Sequence, residues 1–95
     1  MKEIVRAELK HLEELGRLFN LYRIFYEEED DIEKATNYIT ARFKNEDSII
    51  FASRSQDSTL NGFVQLYPSY CSVSTIPILI LYDLFVDESE RAKGK

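Results

Sequence analysis

The chain has 95 residues, 44% hydrophobic and 13% aromatic, enough for one globular core over residues 1–95 and unlike a disordered chain. Its net charge of −5, with acidic residues spread over most of the length, argues against a nucleic-acid partner or an anionic membrane surface. A single cysteine, Cys71, excludes an internal disulfide and fits a reducing cytoplasm. The longest apolar run, Ile76 to Tyr82, is too short to span a bilayer, and Met1-Lys2-Glu3-Ile4 has no signal-peptide core.

Glu3 to Ala7 places Ile4, Val5 and Ala7 in a short first strand. From Lys10 to Tyr26 the period changes. Leu12, Leu15, Leu18, Phe19, Tyr22 and Tyr26 recur at three- and four-residue spacing, with Glu13, Glu14, Arg17 and Asn20 on much of the other face: an amphipathic helix. Gly16 inside it costs about 1 kcal/mol relative to alanine, and admits close approach of another backbone. The acidic run from Glu27 to Asp31 reads as a solvated linker rather than a cation site, and its end, Asp30 or Asp31, as the N-cap of a second helix. That helix, Ile32 to Phe43, puts Ile32, Ala35, Ile39 and Phe43 on one face.

Two β-rich runs follow, Ser48 to Ser53 and Leu60 to Tyr67, joined by a polar turn from Arg54 to Thr59. Gly62 marks a bulge or a close backbone contact, and Pro68 interrupts the second run. Ser69 to Thr75 either continues that strand irregularly or forms a loop. The last strand, Ile78 to Val86, alternates Ile78, Ile80, Tyr82, Leu84 and Val86 on one side with Leu79, Leu81, Asp83 and Phe85 on the other. Both sides are apolar, so both need cover, and the two helices supply it for one face only.

Order and motifs together resemble the N-terminal portion of a GNAT-superfamily acyltransferase, the CoA-dependent N-acetyltransferases. Asp83-Leu84-Phe85-Val86-Asp87 followed by Arg91-Ala92-Lys93-Gly94-Lys95 is similar to that family's fourth strand and Gln/Arg-x-x-Gly-x-Gly/Ala pyrophosphate loop. Gly62 to Ser69 resembles the third strand of one bacterial branch, and Tyr22 to Tyr26 the end of its first helix. The loop pattern's last Gly/Ala would fall after Lys95. The third helix, the later strands and the tyrosine that often serves as general acid have no counterpart in these residues.

The resemblance implies an α+β, layered fold: strand, two helices, then three strands, in an antiparallel sheet of order 1-2-3-4 with both helices on one face. It implies acetyl-CoA as co-substrate, a primary amine of a small molecule or peptide as acceptor, no metal, and weak or no acetyl-CoA binding and no activity by these residues alone. The main chain of Leu84, Phe85 and Val86 would pair with the pantetheine arm and polarise the thioester carbonyl. Arg91, Ala92, Lys93, Gly94 and Lys95 would bind pyrophosphate, or else form a basic tail. Tyr22, Arg23, Tyr26, Gln65 and Tyr67 would border the acceptor amine, with Arg23 suited to a substrate carboxylate; the alternative for the tyrosines is core and rim aromatics, which the helical spacing favours for Tyr22. Asp83, a carboxylate in an apolar strand, is either the general base or a structural partner of an arginine or tyrosine. Cys71 has no paired base, and His11 no ligand neighbours at metal spacing. The open strand Ile78 to Val86 favours a second reading, a non-catalytic module that completes its sheet by dimerisation or strand pairing. A binding domain unrelated to this family is a third; strand order separates it from the first.

Overall fold

A computed structural model describes residues 3–55 and 59–87. Strand β1 (Glu3–Arg6) leads through a short 3-10 turn into helix α1 (Leu12–Phe25) and helix α2 (Ile32–Lys44), followed by β2 (Ile49–Arg54), β3 (Leu60–Cys71) and β4 (Ile76–Val86). The strands form one antiparallel sheet in the order β1-β2-β3-β4. Both helices lie on one face, where Leu12, Leu15, Leu18, Phe19, Ala35 and Ile39 meet Ile50, Ala52, Phe63 and Phe85 in the core. This is the α+β arrangement expected. No helix among the described residues is long and apolar enough to cross a membrane.

Local chemistry explains the helix ends. Asp31 is the N-cap of α2, its carboxylate accepting from the Lys34 N–H at 3.1 Å. Asn20, buried on α1, holds the linker in place by donating to Asp30 at 2.9 Å and accepting from the Asp31 N–H at 3.0 Å. Both helices stop without a glycine. Glu27 and Glu46 take left-handed backbone (φ 65 and 54°), and the next N–H turns back, Glu28 to the Arg23 carbonyl and Asp47 to the Arg42 carbonyl. The buried His11 accepts the Glu8 N–H on Nδ1 at 2.9 Å, a capping role ahead of α1.

Gly16 is where the helices touch: a Cβ there would fall 3.0 Å from the Thr36 Cα and overlap that residue's side chain. Gly62 faces a similar limit, its Cβ position 2.9 Å from the Phe85 carbonyl oxygen, beside a bulge that leaves Asn61 with no opposite residue on β2. Strand β3 runs straight through Pro68, contrary to the expected interruption. Pairing with β2 ends at Leu66, so Pro68 has a neighbour on one side only, where a missing N–H is tolerated. The strand alternation expected along β4 also breaks. Gln65 opposes Asp83 and Leu66 opposes Leu81, so Tyr82 is an extra, bulged residue. The register therefore puts Asp83 and Phe85 with Ile78 and Ile80 on the helix face, and Leu79, Leu81, Leu84 and Val86 on the other.

That other face is open. Ile4 is 68% and Leu84 61% exposed, and with Phe51, Val64 and Val86 they line a shallow groove of about 240 Å³. Replacing Gly16 by alanine gains helix propensity but forces α1 and α2 apart; a net loss of about 1–3 kcal/mol is expected from overpacking. Denaturant midpoints of the parent and Gly16→Ala check it, and an unchanged or higher midpoint contradicts the contact.

Candidate functional site

A chain of polar side chains crosses the helix-facing side of the sheet. The Ser48 hydroxyl donates to Gln65 Oε1 at 2.8 Å, Gln65 Nε2 donates to Asp83 Oδ2 at 2.9 Å, and the Tyr22 hydroxyl donates to Asp83 Oδ1 at 2.8 Å. Gln65 is completely buried and Asp83 is 7% exposed. The order of donors is forced. A carboxylate only accepts, so the Gln65 amide nitrogen must face Asp83 and its oxygen must face Ser48. The Tyr82 bulge makes this possible. A regular β4 would pair Tyr82 with Gln65 and turn Asp83 to the open face.

Around this chain stands an aromatic wall. Phe19 stacks on Tyr38 with ring centres 5.3 Å apart, the Tyr38 and Tyr67 hydroxyls lie 2.8 Å apart, and Tyr67 meets the bulged Tyr82 edge-on at 5.4 Å. Phe19, Arg23, Lys34, Tyr38, Tyr67, Tyr82 and Asp83 enclose a cavity of about 330 Å³ between the helices and the β3–β4 edge. That size suits a small molecule or one residue of a peptide.

The acceptor-side and catalytic candidates of the sequence fall into three groups. Arg23, Tyr67 and Asp83 line the cavity. Tyr22 and Gln65 stand behind it and act on it through Asp83. Tyr26 stays on the exposed side, packed edge-on against Tyr22 at 5.3 Å. Asp83 has the tyrosine partner that one of its two readings required, and it still opens onto the cavity. Leu84, Phe85 and Val86 lie on β4, the last strand of the sheet, with its outer main chain unpaired by any described strand. Leu84 and Val86 side chains belong to the open face; Phe85 is in the core. Arg91, Ala92, Lys93, Gly94 and Lys95 lie outside the described residues. Phe19, Lys34, Tyr38 and Tyr82 complete the lining with no functional signal in the sequence: the spacing of Phe19 marks only core, and Tyr82 enters only through the bulge. Cys71, at the end of β3, has its thiol lowered by hydrogen bonds from the Ser74 main chain and side chain, with no base beside it. Among the described residues no group of three His, Cys, Asp or Glu side chains is placed to hold a metal ion.

No family model matches the chain. It is 38% identical over 91 residues to the uncharacterized N-acetyltransferase YhfO of Bacillus subtilis, an alignment that takes in 96% of this chain and 60% of that protein. A crystal structure titled a probable acetyltransferase superposes with a TM-score of 0.84 at 33% identity, covering 97% of this chain and 69% of the other. A predicted acetyltransferase from Clostridium acetobutylicum, solved with acetyl-CoA, shares the fold with a TM-score of 0.74 at 13% identity, over 99% of this chain and 65% of its own.

Burial, and then the hydrogen bond to the Asp83 carboxylate, hold the Tyr22 hydroxyl above the ordinary phenol range; burial and then the Tyr38 contact do the same for Tyr67. The fold thus favours the neutral phenols. Their contribution is complete below the unfolded value of about 10 and is lost as pH rises through the raised folded values. Stability is expected to fall on the alkaline side of that point, and Tyr22→Phe and Tyr67→Phe each to lose part of the fall. Unfolding followed by tyrosinate absorbance across alkaline pH checks this; variants with the parent's alkaline profile contradict it.

Proposed function

This chain belongs to the GNAT superfamily of N-acetyltransferases, and from that membership we propose that it supplies the acceptor wall and the acyl-binding strand of an enzyme moving acetyl from acetyl-CoA to a primary amine. The observation that carries the reading is the outer edge of β4, paired with no described strand, running beside a cavity that is lined by a buried carboxylate. The Clostridium acetobutylicum relative in fold was solved with acetyl-CoA. On this reading the main chain of Leu84, Phe85 and Val86 takes the pantetheine arm as an added strand, and one of its N–H groups faces the thioester oxygen. Arg91, Ala92, Lys93, Gly94 and Lys95 serve the pyrophosphate.

The chemistry places separate demands on the acceptor side. An ammonium must lose a proton before its nitrogen can attack the thioester carbonyl carbon. The C–N bond forms, a tetrahedral oxyanion follows, and the C–S bond breaks. The amide nitrogen's surplus proton then goes to the departing thiolate, giving free CoA. Asp83 is the negative pole that draws in the ammonium and takes its first proton, directly or through water. Two of its lone-pair positions are filled by Tyr22 and Gln65, and a carboxylate has about four. Tyr67, Tyr38 and Tyr82 enclose the substrate body.

The open face supports a second reading, self-association through β4. Leu81 and Leu84 are 56% and 61% exposed, and an apolar face of this kind invites cover by further chain or by a second copy. The chain spans 60% of the length of YhfO, and acetyl-CoA affinity from these residues by themselves is expected to be weak or absent. An NMR titration with acetyl-CoA up to millimolar concentration tests both readings. The expected result is weak binding, with amide shifts concentrated at Leu84, Phe85 and Val86. Micromolar affinity overturns the weak-binding statement, and shifts that avoid β4 overturn the assignment of the strand. Amide linewidths in the same sample decide association: those of a monomer exclude the second reading.

A further inference from the structure

Two arginines occupy the same place at the ends of the two helices, and only one of them is fully used there. Each precedes a left-handed glutamate by four residues and faces an acid that the reversed chain brings back, Glu28 for Arg23 and Asp47 for Arg42. Arg42 makes the contact well: its Nε donates to Asp47 at 2.9 Å, and its guanidinium lies 4.9 Å over the Tyr38 ring. Arg23 does not. Its Nη2 stands 3.5 Å from an exposed Glu28 carboxylate, while its Nη1 is buried with no hydrogen-bond partner among the described residues. A buried guanidinium donor left unpaired is costly, so its position on the cavity wall calls for an acceptor that the fold does not provide.

The charges lining the cavity point the same way. Arg23 and Lys34 are two cations, and Lys34 has no ion pair among the described residues. Asp83 is the one anion among the lining residues, with one neutral donor on each oxygen and lone pairs left for an ammonium. A plain amine would bring a positive charge into a wall with positive charge in surplus. A ligand with both an ammonium and a carboxylate balances it, and a planar carboxylate matches the guanidinium fork.

We infer that the acceptor is an amino acid or similar aminocarboxylate, its carboxylate held by Arg23 and its amine on the Asp83 side, with an apolar or aromatic body against Tyr38, Tyr67 and Tyr82. This rests on the acceptor-site reading above. The volume of about 330 Å³ suits a single amino acid better than a folded protein.

Four probes that differ only in charged groups test it on the chain itself: L-phenylalanine, its amide, phenethylamine and phenylpropanoate. Their affinities are measured by ligand-observed NMR without acetyl-CoA. L-phenylalanine is expected to bind about tenfold tighter than the amide or phenethylamine, the worth of one charge-assisted pair. Arg23→Gln should abolish that ratio, Glu28→Gln should keep or raise it, and Arg54→Gln, paired with Glu3 at the β1 edge of the sheet, should leave it alone. Because the preference is a ratio within one variant, a partial loss of stability does not imitate it, and amide dispersion shows that each variant is folded. Equal binding of acid, amide and amine by the parent overturns the inference, as does an Arg23→Gln chain that keeps the preference. Such a failure, with acetyl-CoA shifts still on β4, removes the aminocarboxylate and leaves the acetyltransferase reading intact.

Discussion

The Asp83 carboxylate is buried between the helix layer and the sheet, and two neutral donors hold it there. Burying an ion is expensive, and hydrogen bonds to a charged group return about 1.5–3 kcal/mol each. The donors come from different elements, Tyr22 from α1 and Gln65 from β3, so one side chain on β4 ties the edge strand to the helices. Gln65 is itself oriented by Ser48, the residue that leads into β2. The polar chain therefore joins β3, β4 and α1 to the entry of β2, and a slip in the register of β4 leaves a charge unsatisfied.

One extra residue, Tyr82, sets that register. By taking the bulge it brings Asp83 to the helix side and carries its own ring to Tyr67, so a single irregularity creates both the polar chain and one wall of the cavity. It also turns Leu79, Leu81, Leu84 and Val86 to the open face together. Site and uncovered surface are two sides of one strand, and β4 remains the sheet's edge. The chemistry proposed for the site uses that edge as a binding surface, so a fold with β4 covered on its outer side would have no place for the thioester.

Much of this architecture is legible in the residues. Leucine and aromatic spacing marks both helices, Gly16 announces a close helix contact, and the acidic run supplies the cap at Asp31, because each is a local consequence of side-chain size or hydrogen bonding. What is not legible depends on contacts between elements. Strict alternation along Ile78 to Val86 gives Tyr82 and Asp83 opposite faces, and nothing in the strand itself signals a bulge that Gln65 and Tyr22 stabilise from elsewhere. Pro68 looks like a break until β2 is seen to end beside Leu66. Both helices end within a residue of where the spacing puts them, but nothing local signals the left-handed turns at Glu27 and Glu46, a conformation usually left to glycine. Lys34 and Tyr38 join Arg23 and Tyr67 only when α2 is laid over β3.

Helix α1, the edge strand and the cavity are held together only if Tyr22 and Asp83 act as one unit. A double-mutant cycle with Tyr22→Phe, Asp83→Ala and the paired variant, followed by denaturant unfolding, measures that directly. A coupling free energy of about 1.5–3 kcal/mol is predicted for a buried hydroxyl-to-carboxylate bond. Losses that add to within about 0.5 kcal/mol would show two independent side chains, and the link between helix, edge strand and cavity would then fail.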